Sequence, residues 1–201
     1  MRRRPSDKPS VRQLGFMVDS RRCLGCFSCA MACKNQHHQP NPVFWRRLYG
    51  LKASLHPYRN RAFFSLACNH CAEPACLAAC PVKAYHKREA DGIVVHTQKK
   101  CIGCGNCIRS CPWGAPQYNP YLRQAEKCGL CWQRIDAGLQ PACVQACPVE
   151  ALGLIEIGSR DAADAVHYPP GFPAVEATDP SVRFRTARLP RVVDEEDYDE
   201  G

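Results

Sequence analysis

Hydrophobic positions fall in short stretches broken by proline, glycine and charge. Leu14–Asp19 (LGFMVD) alternates well enough to predict a short strand. Ala84–Lys87 and Ile93–His96, joined across Asp91-Gly92, read as a hairpin. Arg61–Leu66 and Leu152–Ile157 are further strand candidates. Apolar runs such as Ala62-Phe63-Phe64 and Gly153-Leu154-Ile155 are far short of the roughly 20 residues that cross a membrane, so no direct span is expected. The basic start MRRRPSDKPSVRQ lacks the apolar stretch of a secretory signal, and export is expected only with a signal-bearing partner. The pattern predicts an α+β fold with little regular structure.

Composition changes the picture. The 201 residues include 16 Cys, 17 Pro and 13 Gly. Without cysteine the apolar complement is thin, so something other than an oily core must organise the fold. All the cysteines fall into four groups of four. These are Cys23, Cys26, Cys29 and Cys33; Cys68, Cys71, Cys76 and Cys80; Cys101, Cys104, Cys107 and Cys111; and Cys128, Cys131, Cys143 and Cys147. Every group ends in C-x3-C, and Pro81, Pro112 and Pro148 follow three of them, with Lys34 in the first.

Three thiolates in C-x2-C-x2-C wrap one corner of an inorganic cube. The fourth cysteine, at the start of a helix that leads away, reaches a second cube, as in bacterial ferredoxins. Short helices are accordingly expected after each C-x3-C. Disulfides fit poorly, because neighbours at this spacing are awkward to cross-link. Structural zinc sites separate their C-x2-C knuckles by a dozen or more residues. Radical chemistry needs C-x3-C-x2-C, and the required positions hold Gln36, Lys83 and Gly114. Four [4Fe–4S] clusters are the expectation, with a zinc-organised binding module as the alternative from another class.

The second and third groups lie close together and the first and fourth flank them, which implies nested ferredoxin-like modules. The expected units are an outer module (12–60 plus 115–158), an inner module (61–114) and a C-terminal arm (159–201). SRDAADAV reads as a candidate helix start in that arm. The arm is expected to lie extended on a larger partner over about 160–192 and to end in a disordered acidic tail.

The 27 Lys and Arg against 19 Asp and Glu leave a formal charge of +8. Each cluster with its four thiolates carries about −2, so four offset that excess and nucleic-acid binding is not expected. Arg22, Lys87, Arg88, Lys100 and Lys127 flank the cysteine groups and are candidates for tuning potential, because a nearby cation favours the reduced cluster. His70 is read as a non-ligand near its cluster, His37-His38 as loop, and Trp113 as a shield or simple packing. The sequence shows no Ser/His/Asp set, phosphate loop or carboxylate pair, so no catalytic residue is assigned.

The blocks CNHCAEPACLAACP, HKREADGIVVHTQKKCIGCGNCIRSCPWGAPQYN and KCGLCWQRIDAGLQPACVQACP closely resemble the iron–sulfur (B) subunit of the dimethyl sulfoxide reductase family, over most of residues 12–157. That resemblance implies a four-cluster relay between a molybdopterin catalytic subunit and a membrane anchor that oxidises quinol, peripheral on the cytoplasmic membrane through its partners. Corresponding subunits of polysulfide, tetrathionate, nitrite or formate enzymes are the alternative.

It also implies four ligand sets: Cys23, Cys26, Cys29 and Cys147; Cys68, Cys71, Cys76 and Cys111; Cys101, Cys104, Cys107 and Cys80; and Cys128, Cys131, Cys143 and Cys33. Nitrate reductase relatives carry Trp where this sequence has Cys104, so a full cube rather than a three-iron cluster is implied there. Replacing the cation beside the third group, Lys100→Glu, is expected to lower the potential of one cluster. A redox titration identical to that of the parent protein rules this out.

Overall fold

The computed structural model describes residues 12–50, 63–169 and 172–186. Its centre is the strand β1 (Leu14–Asp19), all six residues of which are buried. Both of its edges are paired. β8 (Leu152–Glu156) pairs antiparallel from Leu14 opposite Glu156, and β9 (Val182–Arg185) pairs parallel from Phe16 opposite Val182. Gly15 sits where the Ser181 backbone closes in. A Cβ there would lie 1.8 Å from the Ser181 carbonyl oxygen, so only glycine fits.

Smaller two-stranded ribbons surround this sheet. β2 (Arg47–Gly50) pairs with β3 (Phe63–Leu66), the described part of the expected strand at 61–66. β4 (Tyr85–Lys87) and β5 (Val94–His96) form the expected hairpin, with Gly92 at φ 68° in its turn. β6 (Gln117–Asn119) and β7 (Gln124–Glu126) make a further hairpin whose polar triplets carry no strand pattern. Asn119 Oδ1 closes its turn by accepting the N–H groups of Tyr121 and Leu122.

The helices correct one expectation. They span the C-x3-C segments instead of following them: α1 (Ser28–Gln36), α2 (Ala75–Ala78), α3 (Asn106–Ser110) and α5 (Ala142–Gln145) each hold the third cysteine of their group. A spacing of four residues returns to the same helix face, so one helical turn aims both sulfurs to one side. Where proline follows the last cysteine the helix stops within that turn. Lys34 replaces proline in the first group, and α1 runs to nine residues. α4 (Trp132–Asp136) lies between the two halves of the fourth group.

The C-terminal segment is also corrected. Residues 160–162 form a 3-10 turn, not a helix, and Val182–Arg185 returns as β9 to the sheet of its own chain. Phe184 is wholly buried, its ring 5.1 Å from Phe64 and 4.7 Å from Phe172, which stacks on Trp113 at 4.6 Å. An extended arm could not bury these rings. The acidic end lies outside the described residues.

Many of the cysteines are core residues in this fold. Cys29, Cys68, Cys128 and Cys143 share one buried cluster with Phe16, Phe64, Ile93 and Phe184. Cys76 and Cys107 share a smaller one with Ala84, Tyr85, Val94 and Ala125. Removing the ring that joins β9 to this core, Phe184→Ala, is expected to cost about 3–5 kcal/mol. Guanidinium unfolding of the anaerobic protein measures it, and a midpoint equal to that of the parent protein contradicts this packing.

Candidate metal centres

Each cysteine group is a turn folded so that backbone N–H groups face inward. The residue two after the first cysteine is left-handed in every group: Gly25 at 68°, His70 at 44°, Gly103 at 73° and Leu130 at 57°. A left-handed residue at this point turns the chain sharply behind the first sulfur. The His70 and Leu130 N–H groups donate to the sulfurs of Cys68 and Cys128, at 3.5 and 3.3 Å.

The three Cys-Pro groups add a second device, which the sequence carries openly as C-P-x-x-A. Lys83, Gly114 and Glu150 are left-handed at φ 50°, 58° and 50°. That turn brings the N–H groups of Ala84, Ala115 and Ala151 to the sulfurs of Cys80, Cys111 and Cys147, at 3.3, 3.5 and 3.2 Å. The first group lacks the proline, and there the buried Gln39 amide donates to Cys33 Sγ at 3.3 Å.

Two cavities show how the groups meet. One is ringed by Cys68, Cys71, Cys76 and Cys111, with Trp113 in its wall. The other is ringed by Cys23, Cys26, Cys29 and Cys147, with Ser65 in its wall. In each, three cysteines of one group meet the last cysteine of another. The Cys33 thiol has those of Cys143 and Cys131 as neighbours. Cys107 lies among Cys101 and Cys104, and Cys80 and Cys101 pack against the smaller core.

Burial pushes Cys33 up to about 11, and Cys71 and Cys76 up to about 12. These thiols hold their protons at neutral pH until iron displaces them. A single zinc ion draws its sulfurs to about 2.3 Å. Among the described residues no three His, Cys, Asp or Glu side chains converge to hold one ion. The residues fit a larger anionic group: rings of thiols from two cysteine groups, N–H groups that donate to their sulfurs, and buried indole donors without partners among the described residues at Trp113 Nε1 and Trp45 Nε1.

The candidate tuning residues separate. Lys127 is buried, its Nζ donating to the Val94 and Cys128 carbonyls. Lys87 is half-buried and donates to Ala72 O at 2.9 Å and Cys71 O at 3.4 Å. Arg88 is engaged by Asp136 at 2.7 Å and Asp91 at 3.2 Å. Arg22 is exposed in a pair with Glu150, and Lys100 is exposed.

His70 is wholly buried, its Nδ1 accepting the Val94 N–H, and burial holds its pKa well down, so it is neutral. His37 is more than loop. It closes α1 with Nε2 3.2 Å from Cys131 Sγ and its ring 4.7 Å from Trp45. Arg46, Ser65 and Tyr85 carry no signal in the sequence, because each reaches its cysteine from a distant segment, and Gln39, six residues past Cys33, has no spacing that marks it.

The 4Fe-4S dicluster domain family matches residues 60–157. The corresponding chain of the anaerobic dimethyl sulfoxide reductase of Escherichia coli (strain K12) is 42% identical, over 70% of this chain and 72% of its own length. The perchlorate reductase subunit beta of Dechloromonas aromatica is 46% identical, over 72% of this chain and 65% of its own. The corresponding subunit of the tetrathionate reductase of Salmonella typhimurium is 38% identical, over 66% of this chain and 53% of its own. With its ferredoxin-like dicluster domain and its rings of cysteines, the protein belongs to the iron–sulfur (B) subunit family of the dimethyl sulfoxide reductases and is an electron-transfer subunit of an oxidoreductase complex.

Proposed function

We propose that the protein holds four [4Fe–4S] clusters in one line and relays electrons from a quinol-oxidising membrane anchor to a molybdopterin catalytic subunit. When bound, such clusters exchange one electron at a time. The protein's own residues space them, exclude water and set the local charge. The observation that carries the reading is the pair of cavities in which the last cysteine of one group completes the ring of another. The two remaining sites follow as Cys101, Cys104, Cys107 with Cys80, and Cys128, Cys131, Cys143 with Cys33.

Neighbouring side chains support an order for the sites. Arg46 acts on Cys29 of the Cys23 site and on Cys33, Cys128 and Cys143 of the Cys128 site. Cys128 is in turn influenced by Cys68, which belongs to the Cys68 site. Tyr85 faces Cys107, Cys76 and Cys68, and so joins the Cys68 and Cys101 sites. The order is then Cys23, Cys128, Cys68, Cys101, with the outer module supplying the first two and the inner module the last two.

The ends of this line are the places where cysteines reach the surface. Cys26 and Cys104 are exposed, whereas the cysteines of the middle sites are buried or half-buried. Exposed apolar side chains accompany both ends: Leu24, Phe27 and Met31 near Cys26, and Ile102 beside Cys104. Apolar surface of this kind marks protein contacts. One end would dock the catalytic subunit and the other the anchor. No helix of the described residues is long and apolar enough to cross a membrane, so placement at the membrane would come through the anchor.

Anaerobically purified protein is expected to contain about sixteen iron and sixteen acid-labile sulfide per chain. A colourless protein carrying zinc overturns the reading. Ligand crossing has its own test. Cys111→Ser and Cys71→Ser are expected to alter the same paramagnetic signal, and Cys147→Ser and Cys26→Ser another. Changes in four separate signals would contradict the assigned sets.

A further inference from the structure

Arg46 is the largest wholly buried side chain, 1% exposed, and no acidic side chain among the described residues pairs with it. Its Nη1 donates to Ser65 O at 3.0 Å and Ser65 Oγ at 3.1 Å. The Phe16 ring closes one face of the guanidinium at 4.3 Å. Nε and Nη2 are buried without a partner among the described residues. A charge so placed is heavily penalised unless an anion answers it.

Its charge neighbours are the sulfurs of Cys143, Cys128, Cys29 and Cys33, which become anionic only when they bind metal. All four belong to the first and last cysteine groups. Ser65 makes the link on one side, its Oγ 3.2 Å from Cys29 Sγ. Lys127, the other buried cation near the sites, differs: its ammonium is satisfied by two carbonyls.

We propose that Arg46 is a fixed cation shared by the Cys23 and Cys128 sites, and that it raises the reduction potential of both together. Reduction adds a negative charge to a site that is already anionic. A guanidinium in a dry core stabilises that added charge far more than a solvated one does. The free Nε and Nη2 donors are left over for the sulfurs of those sites, a task that the planar fork of arginine suits. The inference rests on the four-cluster reading above and adds to it the residue that ties the outer pair to common potentials.

The test is an electron-paramagnetic-resonance redox titration of the anaerobic full-length protein and its Arg46 variants. In Arg46→Gln, two of the four midpoint potentials are expected to fall together. They are those of the signals altered by Cys26→Ser and Cys131→Ser. The other two are expected to hold. Arg46→Lys, which keeps the charge, recovers most of the shift. Ser65→Ala keeps the guanidinium but cuts its link to Cys29, and lowers the signal of the Cys23 site alone.

Four unchanged midpoints in an Arg46→Gln protein of full iron content overturn the proposal, and so does an equal shift of all four. If Arg46→Gln fails to take up iron, the other variants decide. The proposal requires Arg46→Lys to load fully and Ser65→Ala to shift one signal, and it fails if either does not. Parent protein with fewer than four reducible signals refutes instead the four-cluster reading beneath it.

Discussion

The constraint on which this structure turns is the burial of negative charge. A 4Fe-4S cube held by four thiolates carries about −2, and a dry interior penalises that charge unless donors and cations surround it. The fold meets the demand locally first. A left-handed residue two positions after the first cysteine turns the backbone of every group inward, and the Cys-Pro turns bring a further N–H to the last sulfur. Only then do Arg46 and Lys127 add charge from within the core. The +8 on the side chains is thus placed as well as counted.

Features that depend on local spacing are legible in the sequence. The four cysteine groups, the strand at Leu14–Asp19 and the hairpin across Asp91-Gly92 each announce themselves within a dozen residues. The helices fall one turn away from their expected places because a cysteine repeat of four reads equally well as the end of one element or the start of the next. Proline resolves this: Pro81, Pro112 and Pro148 close the turn that Lys34 leaves open.

What the sequence hides is what crosses the chain. β9 has two strong apolar positions, Val182 and Phe184, between arginines, too little pattern to announce a strand until β1 offers an edge. Arg46 stands among Trp45 and Arg47, where a run of cations reads as surface. Its neighbours Arg47 and Trp45 remain partly exposed, and only the pairing of β2 with β3 carries residue 46 to Ser65. Tyr85 looks like an ordinary hairpin aromatic until the packing of α2 and α3 sets its hydroxyl beside cysteines of two groups.

The proposed nesting gives these long-range contacts a common cause. Inserting one two-cluster unit within another places the first and last cysteine groups more than a hundred residues apart in sequence yet side by side in space, joined by β1 and β8. Closing so long a loop is costly in chain entropy, and a thin apolar core offsets only part of it. Metal ligation that ties Cys147 to the first group and Cys33 to the last would supply the rest, which makes cluster uptake and closure of the outer module one event. The residues buried between these groups, Arg46 and Ser65, then serve assembly and electron transfer through the same charge. Before the sites fill, an unanswered guanidinium opposes closure; once they fill, it holds the outer pair together.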